Sequence, residues 1–243
     1  MKTRLDGVHI LYDAGRVHQP APDLFDPDSW RRDGRLTGEA SGRGSAYFLR
    51  AESGGGEEEW VLRHYRRGGF IARFNQDSYL YTGLERSRPF RELRLLALLR
   101  ERSLPVPPPV AAALIRRGGF YRADLITVRV PGQPLSKLLL SGQANKELFE
   151  AVGDVIAQFH ARGVFHADLN AHNILVADEG IHVIDLDRGR LRSPGEWQRA
   201  NLDRLHRSMM KVLGEEWSPY SHWPEYWLAL EKRWQKARLQ SGQ

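Results

Sequence analysis

The sequence predicts an α+β protein with two lobes, a small antiparallel β lobe followed by a mostly helical lobe. Residues 37–130 contain short strand-like runs separated by glycine-rich turns, whereas residues 133–243 carry apolar residues at helical spacing. The length of 243 residues suits one domain or one two-lobed unit. We therefore expect an N-terminal extension over residues 1–36, a β lobe over 37–132 and a helical lobe over 133–243.

The β lobe is predicted from alternating short runs and their turns. The extension before it has weak periodicity and one predicted strand, Val8–Tyr12. A proline at position 89 suits the first turn of a helix, and apolar residues at helical spacing follow it. Together these patterns predict strands at 46–51, 60–65, 110–115 and 120–130, with one helix at 90–102.

The helical lobe is predicted from a change of period after residue 131. Apolar residues from Leu148 to Phe159 recur on one helical face. Two short apolar runs, 174–177 and 181–184, flank an Asp-Glu-Gly turn and predict a hairpin. Helical patterns then cover 201–213 and 225–239.

Composition excludes several classes of function. The chain has no cysteine, which removes disulfide scaffolds, cysteine-based zinc sites and cysteine nucleophiles. No apolar run approaches the ~20 residues of a spanning helix, and the N-terminus lacks the apolar core of a signal peptide. We therefore expect a cytoplasmic protein, or one docked on a membrane surface.

The net charge of +6 is concentrated in one stretch. Between Trp60 and Arg102 lie ten arginines and no lysine, against four acidic residues, so the rest of the chain is balanced. A basic surface of this kind suits an anionic partner. Aromatic residues are not interleaved with basic ones in a known RNA-binding motif, so no nucleic-acid partner is expected.

The strongest chemical signal is a polar loop at residues 165–173, reading Phe-His-Ala-Asp-Leu-Asn-Ala-His-Asn. It places Asp168 and Asn173 five residues apart, and Asp185 follows after the predicted hairpin. Phosphoryl transfer needs a carboxylate to orient the attacking hydroxyl and oxygen ligands for Mg²⁺. The hairpin folds Asp185 back towards the loop, which supplies these groups together.

A second signal is the glycine-rich turn that includes Gly42 and Gly44, between two predicted strands. Backbone N–H groups in such a turn can cradle phosphates, and glycine allows close approach. A simple hairpin turn is the alternative, but the polar loop downstream favours nucleotide phosphate binding.

These motifs resemble the protein-kinase-like fold, whose catalytic loop reads H-R-D-L-x-x-x-N and whose metal motif is D-F-G. The resemblance implies that Asp168 is the catalytic base and that Asn173 and Asp185 bind Mg²⁺ beside ATP. It also implies that His166 anchors the loop.

The resemblance further pairs a strand residue with a helix glutamate near the nucleotide phosphates. Trp60-Val61-Leu62-Arg63 matches the strand motif V-A-I-K with arginine in the lysine position, and Glu92 is the matching helix residue. Arginine can hold carboxylate and phosphate with two hydrogen bonds, but it is not equivalent to lysine.

Two departures concern the acceptor. Asp-Leu-Asp stands in place of Asp-Phe-Gly, and no A-P-E motif follows. Few residues separate Asp187 from the next predicted helix, which leaves little room for a peptide-docking segment. This favours a small-molecule or sugar acceptor over a protein.

A closer similarity is to the 3-deoxy-D-manno-octulosonic acid (Kdo) kinases of the lipopolysaccharide-core kinase group. The similarity spans residues 38–210. It rests on four runs within that span: Leu-Arg-His-Tyr-Arg-Arg-Gly-Gly from residue 62, Arg-Pro-Phe-Arg-Glu from 88, Asp-Leu-Asn-Ala-His-Asn-Ile-Leu from 168 and Ile-Asp-Leu-Asp-Arg-Gly from 184. The resemblance implies ATP-dependent phosphorylation of the 4-hydroxyl of Kdo on a lipid A precursor. It places the enzyme at the cytoplasmic face of the inner membrane.

The arginine stretch suits that acceptor. Arg66, Arg67 and Arg73 lie among aromatic residues, and arginine binds carboxylates and phosphates well. They are our candidates for contact with the anionic glycolipid or the membrane surface. A solvated face in an arginine-rich protein is the alternative, since arginine outnumbers lysine 30 to 6.

Other functions remain open on sequence alone. A related kinase of the same fold could act on heptose, another small molecule or a protein. A catalytically inactive kinase fold could serve as a binding protein, although Asp168, Asn173 and Asp185 are all present. The oligomeric state is not indicated.

Overall fold

The structure is a computed structural model that describes residues 1–40, 46–65, 78–218 and 221–240. The chain divides into two compact units. The first unit comprises Met1–Leu98 and Pro107–Arg129, and the second comprises Leu99–Val106 and Val130–Gln243.

The first unit is built on one antiparallel sheet. Its elements are β1 (Lys2–Leu5), β2 (Val8–Tyr12), α1 (Pro27–Arg32), β3 (Leu36–Ala40), β4 (Ala46–Ser53), β5 (Gly56–His64), β6 (Tyr79–Leu80), α2 (Arg88–Glu101), β7 (Pro109–Arg117) and β8 (Phe120–Val128). The last residues of α2, from Leu99, are counted with the second unit. The strand order is β1-β2-β7-β8-β5-β4-β3, and β6 also pairs with β8. All of these pairings are antiparallel, as the sequence predicts.

The core of this unit lies on strands at the centre of the sheet. Residues 110–114 of β7, Val-Ala-Ala-Ala-Leu, are all buried, and β7 lies inside the sheet between β2 and β8. Trp30 of α1 packs edge-to-face against Trp60 of β5, with ring centroids 6.2 Å apart. The predicted strand at Val8–Tyr12 is β2, and β1 adds a strand that the sequence pattern did not indicate.

The second unit is mostly helical. Its elements are β9 (Gly132–Pro134), α3 (Leu135–Leu140), α4 (Lys146–Ala161), β10 (Val164–Phe165), β11 (Ile174–Ala177), β12 (Gly180–Val183), β13 (Arg190–Leu191), α5 (Trp197–Leu213) and α6 (Trp223–Gln240). The predicted hairpin is β11–β12, and β9 pairs with the other edge of β11. A separate two-stranded sheet joins β10 to β13.

Helices α4 and α6 pack closely at Gly153. A Cβ atom there would lie 2.5 Å from the carbonyl oxygen of Leu230, so the glycine permits the contact. The guanidinium of Arg233 on α6 donates hydrogen bonds to both carboxylate oxygens of Asp154 across the same contact, with the Nε atom 3.0 Å from Oδ1. No helix in the described part of the chain is long and apolar enough to span a bilayer.

Candidate active site

The polar loop runs from β10 to β11 in the second unit, and it presents Asp168 at the surface. The side chain of Asp168 is 54% exposed, and its Oδ1 atom lies 3.0 Å from a guanidinium nitrogen of Arg204 on α5. The backbone carbonyl of Asp168 accepts hydrogen bonds from the side-chain amides of Asn170 and Asn173, both at 3.0 Å. Asp168 is therefore held on both its backbone and its side chain while the carboxylate remains open to solvent.

His166 ties this loop to the residue that precedes Asp185. Its Nδ1 atom accepts a hydrogen bond from the backbone N–H of Asp168 at 3.1 Å, and its Nε2 atom lies 2.9 Å from the carbonyl oxygen of Ile184. Because a carbonyl only accepts and an amide N–H only donates, the ring is neutral with its proton on Nε2. Burial lowers the pKa of His166, which favours this neutral form. The residue predicted to anchor the loop thus contacts both the loop and the residue before Asp185.

The side chain of Asn201 on α5 binds the backbone of the polar loop. Its Oδ1 atom accepts from the backbone N–H of His166 at 3.2 Å, and its Nδ2 atom donates to the carbonyl of His166 at 3.0 Å. The side chain of Asn201 is buried, so both bonds form in a low-dielectric interior. Asn201 also forms a hydrogen bond with His160 on α4, whose Nδ1 atom accepts from the indole N–H of Trp234 at 2.9 Å.

Sequence reasoning missed Asn201, His160 and Trp234. They form a buried chain of hydrogen bonds from α6 through α4 to the polar loop. A polar residue on the apolar side of a helical pattern is the signal that could have indicated Asn201, because buried polar groups are almost always hydrogen-bonded.

Asn173 and Asp185 are brought to the same end of the β11–β12 hairpin. The hairpin pairs Ile174 with Val183, and the next ladder bond runs from the N–H of Ile184 to the carbonyl of Asn173 at 3.0 Å. Asp185 follows immediately after this bond. Only the short β11–β12 hairpin therefore separates the polar loop from Asp185 along the chain.

Asp185 has an unusual backbone conformation. Its φ is +58°, in the left-handed region that residues other than glycine rarely adopt. Its side chain is exposed, whereas the next residue, Leu186, is buried. Strained backbone of this kind is concentrated at functional sites, where the surrounding structure holds it in place.

The residues present fit a magnesium ion. Asn173 donates its amide N–H to Asp168, a bond that leaves the side-chain oxygen of Asn173 on the other branch of the amide. That oxygen and the exposed carboxylate of Asp185 are hard oxygen ligands, and Mg²⁺ is commonly bound by one or two carboxylates together with waters and phosphates. Within the described ranges, no group of three or more His, Cys, Asp or Glu residues is arranged to hold a metal.

In the first unit the structure brings Arg63 and Glu92 together. One guanidinium nitrogen of Arg63 on β5 lies 2.7 Å from each carboxylate oxygen of Glu92 on α2. The hydroxyl of Tyr65 also donates to Glu92, and the Arg63 guanidinium lies 4.9 Å from the Tyr65 ring centroid. Glu92 is 3% exposed, so the pair is largely desolvated on its acidic side. The paired geometry expected from the V-A-I-K pattern is present with arginine in place of lysine.

Five candidates lie outside the described residues: Gly42, Gly44, Arg66, Arg67 and Arg73. The strands on either side of the first two are described. Ala40 of β3 pairs with Ala46 of β4, so residues 41–45 connect neighbouring antiparallel strands.

Comparison with known proteins now identifies the family. Residues 27–230 match the model of the lipopolysaccharide kinase (Kdo/WaaP) family. A 3-deoxy-D-manno-octulosonic acid kinase of Stenotrophomonas maltophilia strain R551-3 is 45% identical over 210 residues, covering 85% of this chain and 82% of the relative. Its namesake from Vibrio parahaemolyticus is 36% identical over 218 residues, covering 89% of both chains.

Among solved structures, WaaP in complex with acyl carrier protein superposes with a TM-score of 0.55 at 16% identity, covering 93% of this chain and 88% of that one. The predicted α+β, bilobal kinase-like fold is therefore confirmed. With the family match and the relatives, it establishes that this chain is a kinase and belongs to the lipopolysaccharide kinase (Kdo/WaaP) family.

Proposed function

We propose that this kinase transfers the γ-phosphate of ATP to a hydroxyl of Kdo on a lipid A precursor, in assembly of the lipopolysaccharide inner core. Relatives named for Kdo, 36–45% identical over most of the chain, support this acceptor. The choice of the 4-hydroxyl follows the family resemblance. The geometric observation that carries the proposal is the exposed Asp168 carboxylate, held by Arg204 and by the polar loop.

Asp168 is the proposed base. The sugar oxygen forms a bond to the γ-phosphorus while the bond from that phosphorus to the β–γ bridging oxygen breaks, and ADP leaves. The hydroxyl proton passes to the carboxylate of Asp168, or the carboxylate orients the hydroxyl for attack. Holding Asp168 at both backbone and side chain lowers the orientational cost of this step.

Asn173 and Asp185 are the proposed Mg²⁺ ligands. When bound, the ion neutralises negative charge on the nucleotide phosphates. The chain contributes the hydrogen-bonded end of the β11–β12 hairpin and the left-handed backbone at Asp185, which support this role by fixing the backbone on which both side chains are carried.

In the first unit, Arg63 and Glu92 are proposed to serve the nucleotide. Glu92 holds the Arg63 guanidinium by two short contacts, and a guanidinium group placed in this way is also a good ligand for phosphate oxygens. Gly42 and Gly44 are proposed to offer backbone N–H groups to the phosphates.

We further propose that the protein docks on the anionic cytoplasmic face of the inner membrane, with Arg66, Arg67 and Arg73 contacting the acceptor or the membrane. Among described residues, the tip of the β7–β8 hairpin supports a docking surface. Leu80 and Phe120 are cross-strand neighbours, 62% and 44% exposed.

Basic residues flank this apolar pair. Arg116 and Arg117 end β7, and both are exposed. Burial, followed by the charges of Arg4 and Arg116, lowers the pKa of His9, and the two arginines indicate a positive field at this edge of the sheet. Apolar side chains among arginines suit the interface of an anionic bilayer.

The test of the function is phosphate transfer from γ-labelled ATP to a Kdo-bearing lipid A precursor. Asp168→Asn should reduce turnover by a factor of about 100 or more while the protein stays folded. Asp178→Asn, at the exposed turn between β11 and β12, is the matched control and should remain active. Full activity of Asp168→Asn would remove Asp168 from the mechanism.

An acceptor panel separates the related functions. Heptose-bearing acceptors, small-molecule alcohols and a protein substrate should each accept far less phosphate than the Kdo acceptor. Transfer to one of them in preference would reassign the substrate, and absence of ATP turnover with any acceptor would favour an inactive binding protein.

A further inference from the structure

The strand β13 is fixed directly against the segment that leads into the polar loop. Leu191 pairs with Val164 and Arg190 pairs with Phe165 in an antiparallel ladder. The contact continues at Gly163, whose carbonyl accepts from the N–H of Arg192 at 2.8 Å. Gly163 has a φ of +73°, and a Cβ atom there would lie 2.6 Å from the carbonyl oxygen of Arg192, so this position requires glycine.

Two arginines of this segment are held by aromatic rings. The guanidinium carbons of Arg190 and Arg192 lie 5.3 Å and 5.1 Å from the ring centroid of Phe165. Arg192 also lies 5.8 Å from the ring of Trp197, which packs edge-to-face on Phe165. These cation–π contacts restrict the arginine rotamers while leaving the N–H donors of the guanidinium edges available.

The charges of Arg190 and Arg192 are not neutralised within the described ranges of the chain. Other arginines of the same unit, Arg199, Arg204 and Arg233, each contact a carboxylate within 3.0 Å. Arg190 and Arg192 are exposed, and no described carboxylate lies within 4.0 Å of either. Two ordered and uncompensated guanidinium groups form a pre-organised site for an anion.

The site is close to the proposed base. Phe165, whose ring is contacted by both arginines, is three residues before Asp168 in the chain. Three residues span at most about 11 Å even when fully extended, so the Cα atoms of Phe165 and Asp168 are no farther apart than that. One glycolipid acceptor is large enough to contact both places.

We infer that Arg190 and Arg192 bind an anionic group of the acceptor, a phosphate or a carboxylate, while Asp168 orients the hydroxyl. The inference rests on the proposed function, because it assigns a binding group for the same acceptor. The arginine fork matches the oxygens of phosphate and carboxylate equally well, so these are two sources of one ligand chemistry.

Steady-state kinetics with the double variant Arg190→Ala/Arg192→Ala test this site. The KM for the Kdo-bearing lipid should rise by about tenfold or more, since hydrogen bonds between charged groups are the strong ones. The kcat and the KM for ATP should each stay within about threefold, because binding lost equally in the ground and transition states affects KM. Arg190→Lys/Arg192→Lys should recover part of the loss.

The matched control is Arg100→Ala/Arg102→Ala, which removes the same charge from two exposed arginines at the end of α2 and just beyond it. It should leave the acceptor KM unchanged. An equal rise in the control would assign the effect to net charge and overturn the inference, as would an unchanged KM in the Arg190/Arg192 variant.

A binding measurement separates the proposed function from the proposed site. In an Asp168→Asn background, isothermal titration calorimetry should report acceptor binding without turnover, and the arginine variant should weaken binding about tenfold. If the wild-type enzyme transfers no phosphate to any Kdo acceptor, the proposed function fails. If it does and binding is insensitive to Arg190 and Arg192, this inference alone fails.

Removing the phosphates from the acceptor distinguishes the two anions. If a phosphate is the ligand, the dephosphorylated acceptor should bind wild type and variant alike. If a carboxylate is the ligand, the variant should lose about tenfold with both acceptors. Either result supports the site, and equal binding by wild type and variant on both acceptors would contradict it.

Discussion

The buried chain of hydrogen bonds behind the polar loop makes the stability of this kinase depend on pH through His160. The imidazole is 1% exposed, and its Nδ1 atom accepts from the indole of Trp234. Burial, and secondarily the charge of Arg238, lower the pKa of His160 from 6.5 to about 3. The folded protein therefore holds His160 neutral over a pH range in which the unfolded chain protonates it.

The sign and size of the effect follow from this difference. Because the unfolded state binds the extra proton, stability contributed by a neutral His160 is fully present above pH 6.5 and is lost as the pH falls. The loss is about 1.4 kcal/mol per pH unit below an unfolded pKa of about 6.5, until the folded pKa is reached. Between pH 8 and pH 5 the free energy of unfolding should thus fall by about 2 kcal/mol through His160 alone.

His160→Gln isolates this contribution, because glutamine can hydrogen-bond to Trp234 and Asn201 but does not titrate. Urea unfolding of both proteins at pH 8, 7, 6 and 5 gives the difference in free energy of unfolding at each pH. Wild type should be the more stable at pH 8, and its advantage should shrink by about 2 kcal/mol at pH 5.

Burial also lowers the pKa values of His166 and His206, but both residues remain in wild type and variant and cancel in the difference. His18→Gln, which removes an exposed histidine outside the buried chain, is the control. An advantage of wild type over His160→Gln that stays constant from pH 8 to pH 5 would refute the reasoning.

Three further predictions concern other parts of the chain. Arg63→Ala removes the guanidinium partner of a buried carboxylate on α2 and should cost about 3 kcal/mol in urea unfolding; Arg63→Lys should cost less, and equal costs would contradict the pairing. Asn201→Ala leaves backbone groups of the polar loop without partners and should cost about 2–4 kcal/mol and slow phosphate transfer; an unchanged rate would show that Asn201 does not position the loop. Leu80→Ser/Phe120→Ser should weaken sedimentation with anionic vesicles about tenfold, whereas Leu140→Ser, at an exposed leucine of the second unit, should not; equal effects would exclude the hairpin tip.

The polar loop was predictable because its chemistry is local in sequence. Asp168, Asn173 and the hairpin to Asp185 lie within 18 residues, and antiparallel pairing of the two apolar runs fixes their spatial relation. The contact between Arg63 and Glu92, 29 residues apart, was accessible only through the kinase resemblance. Neither residue alone carries a pattern that names its partner.

The supporting residues were not predictable for the same reason. Asn201 contacts His166 across 35 residues, and Trp234 contacts His160 across 74. The helical periodicity indicates that a face is buried, but it does not indicate which polar groups meet within the core. Strand β1 was missed for a different reason, since it lies at the edge of the sheet and its residues are mostly exposed, so it lacks an apolar alternation.

In the second unit, the exposed carboxylates of the candidate site are distinct from the buried residues that hold the polar loop in place. The side chains of Asp168 and Asp185 are exposed to solvent. The groups that hold them, His166 and Asn201, are buried and hydrogen-bonded in their neutral forms, so they fix geometry without adding charge to the site. Protonation of the buried His160 or His166 would place a proton on the Nδ1 atom that accepts a hydrogen bond, so this bond would be lost. The stability of the fold at acidic pH is therefore coupled to the geometry of the polar loop. On this basis, phosphate transfer on acidification should be lost in parallel with the loss of folded protein.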